Sequence, residues 1–144
     1  MLNRLKEKEE RIQQVLAELR EEAARGIPVV VEGKNDVATL HALGVEGNVI
    51  MVKAGGKSFL DIVTELEQSK VSEAILLLDF DRRGREGTKH LKRSLERAKI
   101  KPNVRFWRKL SALVGKEVQC IEGLTAYMVT LRSKIGVASQ QNKQ

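Results

Sequence analysis

Apolar side chains recur along the first 25 residues at Leu5, Ile12, Leu16, Leu19 and Ala23. They form one stripe of a 3.6-residue repeat and predict an amphipathic helix over 2–25. The charged run 6–11 interrupts the stripe, so the first turns are expected to project or to pack weakly. Gly26 stands where a C-terminal glycine cap belongs, and Pro28 forbids continuation. Val29, Val30 and Val31 then predict a short strand apolar on both faces, the kind buried inside a parallel sheet. The pattern repeats down the chain. A helix is predicted over 34–43, with Val37, Leu40 and His41 on one packed side, then a strand over 48–52. Residues 58–68 form the clearest helix, with Phe59, Ile62, Val63 and Leu66 at i, i+3, i+4 and i+7. A third strand follows over 74–78 and a helix over 86–99 that buries Leu91, Leu95 and Ala98. A fourth strand is predicted over 104–107, helical patterns over 109–114 and 117–131, and a polar, disordered tail over 139–144.

Strands alternating with helices imply an α/β fold, an open and mostly parallel four-stranded sheet flanked by helices. The chain divides into an N-terminal helix (1–25), the α/β domain (26–108), a C-terminal helical extension (109–138) and the tail, with no internal repeat. Ligands in such sheets bind beyond the carboxyl ends of strands, near the point where the strand order reverses. The chemistry is therefore sought in the loops after Val31, Val52, Leu78 and Trp107.

Two of these loops are acidic. The first reads Glu32-Gly33-Lys34-Asn35-Asp36, and the third reads Asp79-Phe80-Asp81-Arg82-Arg83-Gly84. Extended residues alternate faces, so Asp79 and Asp81 point the same way. If the first and third strands are neighbours, roughly 4.8 Å apart, Glu32 and Asp79 can share one ion. Three convergent carboxylates repel one another, and a hard divalent cation relieves the repulsion. Mg²⁺ fits such a set because it takes a few carboxylates and leaves positions for phosphate oxygens; Mn²⁺ is its natural substitute. The same acids are also placed to cap helices, Glu32 before Lys34 and Asp81 before Arg85.

The two acidic stretches resemble the two signature motifs of Toprim domains. That domain is shared by type IA and type II topoisomerases, bacterial-type primases, OLD-family nucleases and a nuclease that matures 5S ribosomal RNA. The resemblance extends over roughly residues 26–108 and includes the order and spacing of the strands. It implies that Glu32 is the general acid or base and a metal ligand, and that Asp79 and Asp81 hold Mg²⁺. The chain length is similar to that of the free-standing small Toprim proteins of archaea and bacteria. The Asp79-Phe80-Asp81 motif departs from the nucleophile motif of haloacid dehalogenase-like phosphatases, which lies on their first strand and is followed by Gly-Thr. A phosphoacceptor receiver domain needs Ser or Thr after its fourth strand, where this chain has Arg108 and Lys109.

The loop Gly55-Gly56-Lys57-Ser58 suggests a Walker A motif but has Met51 where its first glycine is required. Gly55 and Gly56 nonetheless allow backbone to approach a ligand, and Lys53 and Lys57 add charge, so a phosphate contact is expected there as readily as a plain turn.

Charge sharpens the picture. Of the 144 residues, 26 are Lys or Arg and 19 are Asp or Glu, for a net charge of +7. Residues 26–81 carry a net −5 and residues 82–144 a net +12. An acidic half followed by a basic half suggests a polyanion held beside a cation site. Arg82, Arg83, Arg85 and Lys89, with Lys34 near Glu32, are the expected phosphate contacts. Arg85, Lys89, Lys92 and Arg93 share one helix face. Aromatic residues make up only 3% of the chain, so phosphates rather than stacked bases are the expected contact, beyond Phe80 or Trp107. The expected function is Mg²⁺-dependent phosphodiester chemistry on RNA or DNA, with a binding or complex-forming module that keeps the metal site as the alternative. One cysteine, Cys120, excludes a disulfide framework and reads as a small core residue; Glu122 is a weaker candidate for the acidic site. Tyr127 reads as structural, since the nucleophilic tyrosine of topoisomerases belongs to a separate DNA-gripping domain. No apolar run reaches the ~20 residues of a membrane span and the N-terminus is too charged for a signal peptide, so a cytoplasmic location is expected. The N-terminal helix offers a surface for a second copy or a larger complex.

Overall fold

The computed structural model describes residues 1–52 and 58–142. The chain runs α1 (Leu2–Ala24), β1 (Val29–Val31), α2 (Lys34–Ala42), β2 (Val49–Met51), α3 (Phe59–Gln68) and β3 (Glu73–Leu77). It continues through α4 (Arg82–Arg97), β4 (Lys101–Asn103), α5 (Arg105–Val114), a 3₁₀ turn (Ile121–Gly123) and α6 (Leu124–Asn142). Among the described residues the strands form one parallel sheet in the order β2-β1-β3-β4. No helix among the described residues is long and apolar enough to cross a membrane.

The valine run explains the layering. Val29 and Val31 point into one core with Ile75 and Leu77, beneath α1, α5 and α6. Val30 points to the opposite face, where Leu76 and Leu78 meet the apolar sides of α3 and α4. All three valines are fully buried, as a central strand covered on both faces requires. The chain leaves β1 for β2 on one side and reaches β3 on the other, so the strand order reverses between β1 and β3. The loops following those two strands consequently diverge and leave a crevice between them.

Gly26 ends α1 with a φ of +95°, its N–H donating to the Ala23 carbonyl at 3.0 Å, the glycine cap the sequence predicts. The first turns of α1 do not project. Lys8 lies 3.7 Å from Glu117 and 5.2 Å from the Tyr127 ring centre, and Arg132 of α6 reaches Glu9 at 3.3 Å. The apolar stripe of α1, including Ile12, Leu16 and Leu19, is buried within its own chain.

Four boundaries differ from the periodicity; one is the helix predicted over 117–131, which begins only at Leu124, after the 3₁₀ turn at Ile121–Gly123. The fourth strand is Lys101–Asn103, not 104–107, and residues from Arg105 onward are helical. Asn103 decides this: its Nδ2 donates to Glu73 Oε2 at 2.9 Å, and its Oδ1 accepts the Arg105 N–H at 3.0 Å, which starts the helix. Phe106, Leu110 and Val114 are then buried at a four-residue spacing, which the short stretch Val104–Trp107 by itself does not distinguish from a strand. Pro102 is tolerated because β4 is an edge strand. Helix α4 begins four residues early, capped by Asp81. Residues 139–142, expected in the tail, continue α6, since Ser139 to Asn142 contains no residue that breaks a helix.

Candidate functional site at the β1–β3 crevice

The parallel pairing of β1 with β3, with Val31 opposite Leu77, brings the Glu32 and Asp79 loops side by side. Glu32, Asp79 and Asp81 line one cavity of about 410 Å³, together with Arg83 and His90. Glu32 and Asp79 also line an adjoining cavity of about 500 Å³, shared with Lys34, Asp36, Cys120 and Glu122. The predicted acids therefore meet at the crevice.

Each acid is held differently. Asp81 is the N-cap of α4, its Oδ1 accepting the Gly84 N–H at 2.8 Å. One oxygen of Asp81 thus caps the helix, as foreseen, while the side chain borders the cavity. Gly84 is required for this turn, because a Cβ there would overlap the Asp79 backbone carbonyl. Thr88 Oγ1 donates to the Gly84 carbonyl at 2.7 Å and is itself buried. At Gly33 the backbone is extended and a Cβ would meet nothing within 4 Å, so the space beside Glu32 stays open to a ligand.

Among the described residues, the ligand atoms that gather within 4.8 Å of one another belong to Asp36, Asp79 and Cys120. Asp36, Cys120 and Glu122 are the site residues that motif reading underrates. Asp36 is 5% exposed, accepting the Gly33 N–H at 3.1 Å through Oδ2 and the Glu122 N–H at 2.9 Å through Oδ1. It staples the start of α2 to the 3₁₀ turn, and Asn35 Nδ2 adds a 3.3 Å bond to Glu122 Oε1. The Phe80 N–H donates to the Gln119 carbonyl at 2.7 Å, tying the second motif to the same segment. Cys120 is half-buried at the cavity rather than in the core. Burial pushes its thiol above the ordinary cysteine value; the carboxylates of Asp36, Asp79 and Glu122 add to the rise, and the Gly123 backbone opposes it. Asp36 stands within the first motif and Glu122 is the weaker candidate named from the sequence; Cys120, more than 80 residues from that motif, reads from the sequence only as a small core residue.

The donor chemistry discriminates between the two groupings. Asp36 has both oxygens engaged by backbone N–H groups, and the thiol of Cys120 is a soft donor that suits a hard cation poorly. Glu32, Asp79 and Asp81 offer carboxylate oxygen alone, which fits Mg²⁺ or Mn²⁺.

The basic residues separate onto two sides of α4. Arg83 and His90 border the acidic cavity, where the His90 ring meets Phe59 edge to face at 5.0 Å. Arg82, Arg85 and Lys89 border a different cavity toward α5. Lys34 opens α2 and is exposed beside Glu32. Gly55, Gly56 and Lys57, with Lys53, lie outside the described residues. His41, expected to be packed, is exposed because α2 turns Leu40 and Asp36 inward instead.

Comparison with known proteins agrees with this geometry. Residues 28–108 match the Toprim domain, which spans both acidic motifs and all four strands. A UPF0292 protein of Methanosarcina acetivorans is 34% identical over 133 residues, covering 92% of this chain and 90% of the relative. A UPF0292 protein of Methanocaldococcus jannaschii is 38% identical over 119 residues, covering 83% and 91%. A solved structure of a protein from Aquifex aeolicus superposes with a TM-score of 0.63 at 30% identity, over 76% of this chain and 94% of that one. A parallel sheet in the order 2-1-3-4, acidic motifs closing on its switch point and this match over more than half the chain agree: the protein belongs to the Toprim domain family, whose functions are metal-dependent and concern nucleic acids.

Proposed function

We propose that this protein performs Mg²⁺-dependent phosphodiester chemistry on nucleic acid, in the manner of a nuclease. The observation that carries the reading is the shared cavity of Glu32, Asp79 and Asp81, walled by Arg83 and His90. Asp79 and Asp81, with Glu32, would hold the cation; when bound, it supplies positive charge against the charge that develops on a phosphoryl group. Glu32, half-buried at the tip of β1, moves a proton to or from the attacking or leaving oxygen. Lys34 and Arg83 flank the carboxylates on opposite sides and orient a phosphate between them. Gly33 leaves room for that phosphate to approach the backbone.

The test is incubation with labelled single- and double-stranded RNA and DNA in Mg²⁺, Mn²⁺ or EDTA. The parent cleaves one class of substrate in metal. Glu32→Gln retains or improves binding, because a negative charge near phosphate is removed, while cleavage falls by about 10²–10⁴-fold. A Gln variant as fast as the parent removes Glu32 from proton transfer. A parent that cuts nothing in Mn²⁺ makes the protein a binding module that keeps the acidic crevice.

A further inference from the structure

Helix α4 equips its two sides differently. On the side turned from the acidic crevice, a cavity of about 530 Å³ opens between α4 and α5, just past the end of edge strand β4. Arg85, Lys89 and Lys92 line it from α4, and Arg108 lines it from α5. Among the described residues none of these four forms an ion pair. The one carboxylate on the rim, Glu86, belongs to Arg82 at 3.3 Å.

The floor is apolar. Val104 and the half-buried Trp107 form it. Trp107 Nε1 donates to the Leu78 carbonyl at 2.9 Å, with the Asp79 carbonyl at 3.4 Å, so the indole is fixed against the segment that carries the Asp79 carboxylate. A surface reading phosphates alone has no use for an indole floor. A surface docking an apolar protein segment would not surround that floor with four unpaired cations. Together they match a nucleotide, with its base on the ring and its flanking phosphates on the rim. The volume is that of a small-ligand cavity, and the bases of a duplex are stacked out of its reach.

We propose that the α4–α5 groove holds a single-stranded segment of nucleic acid, with one base against Trp107 and the adjoining phosphates on Arg85, Lys89, Lys92 and Arg108. This rests on the proposed function for the choice of polymer; it adds a second subsite and a strand state. Because Trp107 hangs from the Leu78–Asp79 backbone, a strand seated here is registered to the acidic crevice.

The chain has a single tryptophan, so its emission reports this groove alone. The full-length protein is titrated in EDTA, where cleavage is absent, with single-stranded RNA, single-stranded DNA and blunt duplexes of each. Labelled-strand anisotropy is followed in parallel. Single strands should quench Trp107 saturably and bind about tenfold more tightly than duplexes, a ratio within the range of one stacking contact. The two single strands distinguish the source of the polymer. The exposed or half-exposed Lys89→Ala, Lys92→Ala and Arg108→Ala changes together should lower the slope of log affinity against log salt by about 2, and Arg108→Lys in place of Arg108→Ala should return part of it. Equal affinity for duplex and single strand would overturn the proposal, as would anisotropy-detected binding that leaves Trp107 emission and the triple variant unchanged. If quenching and strand preference hold while nothing is cleaved in Mn²⁺, the groove stands and the phosphodiester chemistry fails. If cleavage occurs without any change at Trp107, the reverse is true.

Discussion

Asp36→Asn isolates the staple that assembles the crevice. The Asp36 carboxylate is buried and accepts two backbone N–H groups, from Gly33 at 3.1 Å and Glu122 at 2.9 Å. These donors stand 89 residues apart in sequence, so the side chain closes a long-range contact. Hydrogen bonds to a charged group contribute ~1.5–3 kcal/mol each. Asparagine keeps one accepting oxygen and turns its NH₂ toward the other N–H, so one bond is lost and the other weakens. The expected destabilisation is about 2–3 kcal/mol, and about 3–5 kcal/mol for Asp36→Ala, which loses both bonds. For a chain of this size 1 kcal/mol corresponds to roughly 3 °C in Tm, so Asn should lower Tm by about 6–9 °C. The change also reaches Cys120. Releasing the 3₁₀ turn exposes the thiol, and removing a neighbouring negative charge lowers its pKa, so both effects speed alkylation at neutral pH. Thermal unfolding and iodoacetamide labelling of the single cysteine measure the two consequences independently. A Tm within about 2 °C of the parent, with unchanged labelling, would show that Asp36 does not hold the turn.

The Cys120 thiol, raised chiefly by burial, should be alkylated more slowly than a free thiol at the same pH, with its rate rising at higher pH. Because the folded state holds this proton more tightly, the associated stability is present below the ordinary thiol pKa of about 8.5 and is lost as pH rises through the raised value. Urea midpoints measured across that window for parent and Cys120→Ala check the sign. Gly84→Ala should cost about 1–3 kcal/mol or more, since the added methyl overlaps the Asp79 carbonyl; it should also weaken metal binding, and calorimetry that finds unchanged affinity would refute the role of that close approach. Asp79→Asn should abolish Mn²⁺ binding by calorimetry and Asp81→Asn weaken it. Both should leave the fold intact, because Asn at position 81 still caps α4. Parent-like affinity in both variants would move the cation elsewhere.

Local pattern alone determined much of this protein. The valine run, the Ile62–Val63–Leu66 face and the Gly26–Pro28 stop each encode their element within a few residues, because burial on one or two faces imposes its own period. The two acidic motifs were equally legible, as each lies within one strand–loop segment. Other features had no local signature. Val104 to Trp107 suits a strand or a helix, and Asn103, bonded to Glu73 thirty residues away, settled the choice. The early start of α4 is by contrast local: the capping role of Asp81 was legible, while the glycine that must fit under the Asp79 carbonyl is what periodicity does not register. Cys120 and Glu122 reach the β1–β3 crevice, and Trp107 the separate α4–α5 groove, only when α5 and the 3₁₀ turn fold back over the sheet. Their roles arise from contacts between distant segments, and a contact of that kind exists only once the tertiary structure has formed.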